Sequence, residues 1–254
     1  MKKRNMLSLL LVLAIVFSLA GCGLTGKSEE DSKGEYKTVL TALERFVKDS
    51  DDIDALCGFI GGDFYKDEFR KMLDMELDYG IIDMDALVDE MEDVISENSD
   101  IKLGSEINVS VVKEEDLGAD EIADYQTKLD DAYNTLSNAR ESFADLQDQV
   151  LEALDGMNSE EKAQVDEQFQ SEMGMTLDEY LDLLDTYVDV LSAMADKLEG
   201  AKVETARNVT LKYTGDNITT ESEEIIFLKI DGEWITSALF DMLGQLDALN
   251  DLSI

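Results

Sequence analysis

Between residues 35 and 49 the apolar side chains Tyr36, Val39, Leu40, Leu43, Phe46 and Val47 recur in steps of three and four. That spacing lays one apolar stripe along a helix. The same period predicts helices over about 63–79 and 84–97, the second opened by Asp83 as N-cap, with Gly58, Gly61, Gly62 and Gly80 as breaks between them. The period then changes. Ile107, Val109 and Val111 alternate with Asn108 and Ser110, which is the pattern of a half-buried strand.

From Asp120 the helical period returns and holds without interruption through Ile122, Tyr125, Leu129, Ala132, Leu136, Ala139, Phe143, Leu146 and Val150. A heptad seam of this length needs a partner helix to cover it. Leu177, Leu181, Leu184, Val188, Leu191, Ala195 and Leu198 form a second seam, opened by the capping box Thr176 and Glu179 and closed by Gly200. Residues 159–173 read as a shorter helix between Gly156 and Gly174. Residues 119–199 are therefore expected to form a helical hairpin or three-helix arm, its first helix reaching roughly 50 Å. Strands resume with Val209, Leu211 and Tyr213 in alternation and with residues 223–230, rich in β-branched and aromatic side chains. Asp231-Gly232 then separates Ile230 from Glu233-Trp234-Ile235-Thr236 as a two-residue hairpin loop, and residues 239–252 return to helical spacing.

The first residues obey a different logic. Lys2, Lys3 and Arg4 precede an almost wholly apolar run from Met6 to Leu19. A basic start before a run of that length is the layout of a secretory signal, and it is too short for the roughly twenty residues that span a bilayer. It ends in Leu19-Ala20-Gly21-Cys22, which resembles the lipobox of bacterial lipoproteins. The resemblance implies removal of residues 1–21 and attachment of lipid to Cys22, whose thiolate is a natural acceptor. Residues 22–34 are rich in Gly, Ser and charge and read as a flexible tether with a coil span near 20 Å. The expected location is the cell membrane, lipid-anchored and facing outside the cytoplasm.

Charge narrows the partners. The first 21 residues carry three of the 21 basic groups and none of the 59 acidic ones, so residues 22–254 hold 18 bases against 59 acids, a formal charge of −41. Such a chain repels phosphate backbones, which excludes nucleic acid as a partner. It also repels an anionic bilayer surface, so the body is expected to stand off on its tether. The 44% hydrophobic content is enough for a packed core over residues 35–254. With Cys22 lipidated only Cys57 remains, so no intramolecular disulfide can form. Cys57 lies in the apolar stretch Ala55-Leu56-Cys57-Gly58-Phe59 and reads as a buried small hydrophobe, with a reactive thiol as the alternative.

The order of elements resembles a family of bacterial lipoproteins with a cystatin-like or NTF2-like α+β domain. The resemblance rests on the lipobox, on the helix opening Glu35-Tyr36-Lys37-Thr38-Val39-Leu40, and on the closing hairpin Ile225-Ile226-Phe227-Leu228-Lys229-Ile230-Asp231-Gly232-Glu233-Trp234. It implies N-terminal helices packed on a curved antiparallel sheet, forming a cone whose mouth often serves as a pocket. The arm at 119–199 departs from the short linker of that pattern and would interrupt the domain.

Catalytic chemistry finds little to stand on. The chain has no histidine, which removes Ser-His-Asp and Cys-His schemes and the commonest zinc ligand. Gly58-Phe59-Ile60-Gly61-Gly62 lacks the lysine of a phosphate loop and reads as a helix-helix turn. Ser159-Glu160-Glu161-Lys162 has the spacing of penicillin-recognising enzymes but neither partner motif, and Asn158 or Ser159 reads as a helix cap. The acidic clusters at 49–54 and 83–93 lack the glycine at position six of a calcium loop, so they read as solvated faces. No catalytic residue, metal ligand or cofactor is assigned. Tyr36, Tyr213 and Trp234 are pocket-mouth candidates, with core filling as the competing reading. The expected function is a non-enzymatic module that binds an envelope protein or ligand, with the helical arm as a possible protein-docking face. An enzyme using Asp or Glu in an NTF2-like pocket is the alternative. Cys22→Ser is expected to release the protein from membranes in cell fractionation, and wild-type protein that washes off in salt without detergent would refute the anchor.

Overall fold

The computed structural model describes residues 33–98, 101–215, 218–240 and 243. The expected signal, Cys22, the expected tether up to residue 32 and most of the expected closing helix lie outside them. A 3-10 turn at Gly34–Tyr36 leads into α1 (Lys37–Lys48), and then come α2 (Ile53–Asp78), α3 (Met84–Asn98) and β1 (Ile107–Asp116). Three helices come next, α4 (Ala119–Asp155), α5 (Ser159–Met173) and α6 (Leu177–Leu198), then β2 (Val203–Gly215), β3 (Ile218–Ile230) and β4 (Glu233–Thr236). The fold is α+β and rich in helix, with one four-stranded antiparallel sheet in the order β1-β2-β3-β4.

Each boundary has a local cause. Asp52 accepts a hydrogen bond from Ala55 N at 2.9 Å and so caps α2. Asn158 and Glu161 form a reciprocal capping box at α5, and Thr176 and Glu179 form another at α6. Gly174 ends α5 with φ of 80°, the left-handed geometry that a side chain resists. At the hairpin, Asp231 (φ 49°) and Gly232 (φ 87°) both take positive φ, and Ile230 pairs with Glu233. These are the dihedrals that match a two-residue loop to strand twist.

Helix α2 departs most from expectation. Its run begins at Ile53, ten residues before the helix that periodicity predicts, and consists of two helical segments meeting at a kink at Gly62, so the expected segment from Asp63 follows the break. Only Gly62 leaves helical geometry, at φ 55° and ψ −153°, and the axis kinks there. Gly58 and Gly61 serve close packing instead. A Cβ on Gly58 would come within 3.2 Å of the Ala42 Cβ on α1, and one on Gly61 would come within 2.8 Å of the Phe69 ring. Residues 58–61 thus close the first helical segment, and the break between the two segments falls at Gly62 alone.

One core joins body and arm. Helix α1 packs against β1 and α2 against β4, so the pair spans both edge strands of the sheet. Their buried faces bring Leu40, Leu43, Phe46, Leu56 and Phe69 against Val209, Phe227 and Ile235. The arm interrupts the sheet between β1 and β2, which are nevertheless paired as far as Asp116 opposite Arg207. Its long helices α4 and α6 cover one another, and Leu129, Leu136, Leu191 and Leu198 are buried in the same core as the sheet. The 37 residues of α4 run for about 55 Å. Helix α6 also packs along α2, where the Tyr65 hydroxyl donates to the Met194 carbonyl at 2.8 Å and Lys197 Nζ donates to the Phe64 carbonyl at 2.5 Å and to Glu68 at 2.7 Å.

The kink supplies a direct test. A Cβ at residue 62 would stand 2.8 Å from the Trp234 carbonyl oxygen, in a backbone region that only glycine occupies readily. Gly62→Ala is expected to cost roughly 3 kcal/mol in urea denaturation. Gly156→Ala, where φ is −78° and nothing lies within 4 Å, should shift stability by less than about 1 kcal/mol. Equal effects at the two sites would contradict the kink.

Candidate functional site

The three aromatic candidates are core residues. Tyr36 and Tyr213 are almost fully buried and Trp234 is 6% exposed. Tyr36 packs edge-on against Trp234 at 4.8 Å between ring centres and tilted against Phe227 at 4.5 Å. Gly62 brings the α2 backbone to the same point, so the space where a cone would open is filled with side chains. Tyr213 is fully enclosed on β2, and burial pushes its hydroxyl well above the ordinary tyrosine value. The structure therefore corrects the pocket-mouth placement of Tyr36, Tyr213 and Trp234.

A polar lid closes over the aromatic pair. Arg207 on β2 lies 5.2 Å from the Trp234 ring centre, and its Nη1 donates to Glu35 at 3.1 Å, Glu114 at 3.2 Å and the Tyr36 hydroxyl at 3.4 Å. Its Nε donates to Asp116 at 2.8 Å. The Tyr36 hydroxyl in turn donates to Glu114 at 3.1 Å, and burial pushes the Tyr36 pKa up to about 12. Every member is already paired, so the cluster has the character of a structural clasp.

An open concavity among the described residues lies along α1 and α2. Lys37, Thr41 and Arg45 stand at four-residue intervals along the outer face of α1, and Asp54, Gly58, Asp63 and Lys66 face them from α2. They line a cleft of about 270 Å³, floored by Gly58, where any Cβ would crowd Ala42 and approach the Lys66 stem. Arg45 is held by Asp52 at 2.5 Å, and the Asp54 charge is answered by Arg70 at 2.8 Å. With Arg45 and Asp54 each answered from outside, Lys37 and Lys66 stand against Asp63, so the lining keeps one net positive charge in a chain with 59 acids and 21 bases. Two threonine hydroxyls, Thr38 and Thr41, add neutral donors to its wall. The arrangement can accept an anionic group. It has no paired nucleophile and base for chemistry on one.

Two further residue sets resolve in favour of packing. Cys57 is completely buried, and burial pushes its thiol up to about 12, which makes it an inert core residue. The seams of the arm face each other and α2 at Leu129, Leu136, Leu184, Leu191 and Leu198, which are buried, while Phe143, Leu146, Val150, Leu181 and Val188 are half-buried and Leu151 is 47% exposed. Periodicity also passes over Glu76, which is 0% exposed on α2. The signal is present, because Phe69, Leu73 and Glu76 stand at steps of four and three on one helical face.

Cys22 and the expected lipobox residues Leu19, Ala20 and Gly21 lie outside the described residues. Among the described residues, no helix is long and apolar enough to cross a membrane, and no group of three or more acids and cysteines is placed to hold a metal ion. Compared with known protein families, with curated proteins and with solved structures, the chain matches none of them. Burial of the single tryptophan is checked by fluorescence. Acrylamide is expected to quench Trp234 weakly in the native protein and strongly in denaturant. Strong native quenching would reopen the cone.

Proposed function

We propose that the chain is an exported lipoprotein whose α+β body is a non-enzymatic binding module. Residues 1–21 serve as the signal, Cys22 carries the lipid, and residues 22–34 tether the body outside the cytoplasm. The observation that carries this reading is one of sequence and position together. A basic n-region, an apolar run and Leu19-Ala20-Gly21-Cys22 are followed in sequence by a short polar stretch and then α1, whose outer face lines the cleft. The helices α1 and α2 on a four-stranded antiparallel meander support a cystatin-like or NTF2-like assignment, with α4 to α6 as an insertion.

The cleft is the binding face in this proposal, in preference to the arm. An acidic body repels most anions at long range, so an envelope protein or ligand that presents an anionic group is held best at the cleft that Lys37 and Lys66 line, with Arg45 already paired to Asp52. The arm buries its inner heptad positions, among them Leu129, Leu136, Leu191 and Leu198, against its own helices and the body, and leaves Leu146, Val150, Leu181 and Val188 half-buried. Carboxylate catalysis in an NTF2-like chamber draws less support, because Tyr36, Phe227 and Trp234 occupy the space it would use.

Site-specific photo-crosslinking in intact cells tests the assignment. A photoreactive side chain at Thr41 is expected to capture a partner that one at Glu167, on the exposed face of α5, does not. Lys37→Glu combined with Lys66→Glu should reduce that capture several-fold while membrane attachment persists. Equal capture from both positions, or capture indifferent to the charge reversal, would remove the cleft from the proposal.

A further inference from the structure

Glu76 lies where α6 seats on α2, with no accessible surface. One carboxyl oxygen, Oε1, accepts from the Tyr187 hydroxyl of α6 at 2.6 Å. The other, Oε2, is buried without a hydrogen-bond partner. Around this contact Met75 of α2 packs with Met175 and Leu183, and the Tyr187 ring stacks on Phe143 of α4 at 4.9 Å. The contact therefore links all three long helices. An ionised carboxylate offers about four acceptor positions, of which a single donor fills one here. A neutral carboxyl needs far less, and an apolar setting tolerates it.

We propose that Glu76 makes the seating of α6 on α2 responsive to pH: neutral, its carboxyl holds the arm against the body, and ionised, it loosens the outer half of that contact. Among the described residues, the groups packed around it supply no positive charge to offset ionisation. From α6 the facing titratable groups are Tyr187 and, in the adjoining cluster, Tyr180. Beyond the end of α2 stands Tyr79, on which Asp78, Glu179 and Asp182 press with like sign. Helix α4 contributes Phe143, and α5 contributes Phe169 together with Asp166, which accepts from Leu177 N at 2.8 Å. Lys197, on the same helix as Tyr187, is engaged by Glu68 and the Phe64 carbonyl. Phenols and acids only add negative charge as pH rises.

Burial pushes the Glu76 pKa up to about 7, against the smaller lowering effect of the Tyr187 hydrogen bond. Burial and the adjacent Glu76 push the Tyr187 hydroxyl up too, so it remains a donor throughout. Linkage fixes the sign. A carboxyl whose folded value is raised favours the docked state fully at pH below its ordinary value near 4.5. That contribution is lost as pH rises from there through about 7, and it changes no further above.

Amide hydrogen exchange on the full chain in detergent, corrected for the intrinsic pH dependence of exchange, reads the effect directly. Between pH 5 and pH 8, protection in peptides from residues 177–190 is expected to fall by a factor on the order of 100, while peptides from β2 change little. Glu76→Gln is neutral at both pH values and should abolish the difference. Tyr187→Phe removes the one hydrogen bond to the carboxylate and should move the midpoint to higher pH, which keeps the test informative if the glutamine variant does not fold. A wild-type arm indifferent to pH, a glutamine variant that responds as wild type does, or a midpoint unmoved by Tyr187→Phe would each overturn the proposal.

Discussion

The bend at Gly62 allows one helix to serve two neighbours that lie in different directions. Before the bend, α2 packs with α1 over the sheet, and the glycine backbone comes up against the Trp234 carbonyl where a Cβ would stand at 2.8 Å. After the bend, the same helix presents Tyr65, Phe69 and Leu73 as a platform for α6. A straight helix of this length would lose either the sheet or the arm. The steric permission of one residue therefore sets the relative placement of almost every buried side chain.

Polar chemistry is a result of that placement. Packing Tyr36, Phe227 and Trp234 together leaves Arg207 to satisfy the polar groups at their edge, and its guanidinium collects three carboxylates and a phenol in one plane of donors. The same close approach of α1 and α2 through Gly58 leaves a shallow trough on their outer side, and the trough gathers cations in an otherwise acidic molecule. Interior and exterior are thus complementary results of how tightly two helices meet.

Most of the elements are legible in the amino-acid order because their signals are local. The seams at 120–150 and 177–198, the helix cap at 158–159, the capping box at Thr176 and the Asp231-Gly232 loop each depend on residues within a few positions of one another. Helix α2 is illegible at 53–62 because three glycines look like punctuation, whereas two of them are contact points for residues distant in the chain or one turn away. Strands β2 and β3 also run longer than their alternation suggests, since register shifts near Thr205 and Lys212 disturb the period of two. Lys37, Thr41 and Arg45 form a readable stripe on α1, but its opposite wall depends on how α2 crosses, which no local pattern states. Glu76 is one acid among 59, and only its burial distinguishes it.

The insertion of three helices between two strands that pair with each other has a kinetic consequence. Asp116 and Arg207 are neighbours in the sheet, yet the chain between them must first be gathered into its hairpin before the strand ends can meet. Closing so large a loop as loose coil would cost far more entropy than a tight turn. Collapse of α4 upon α6 brings the loop ends together in advance. The arm would then serve as the turn of an oversized β-hairpin, and the sheet's first ladder would be the late event in folding.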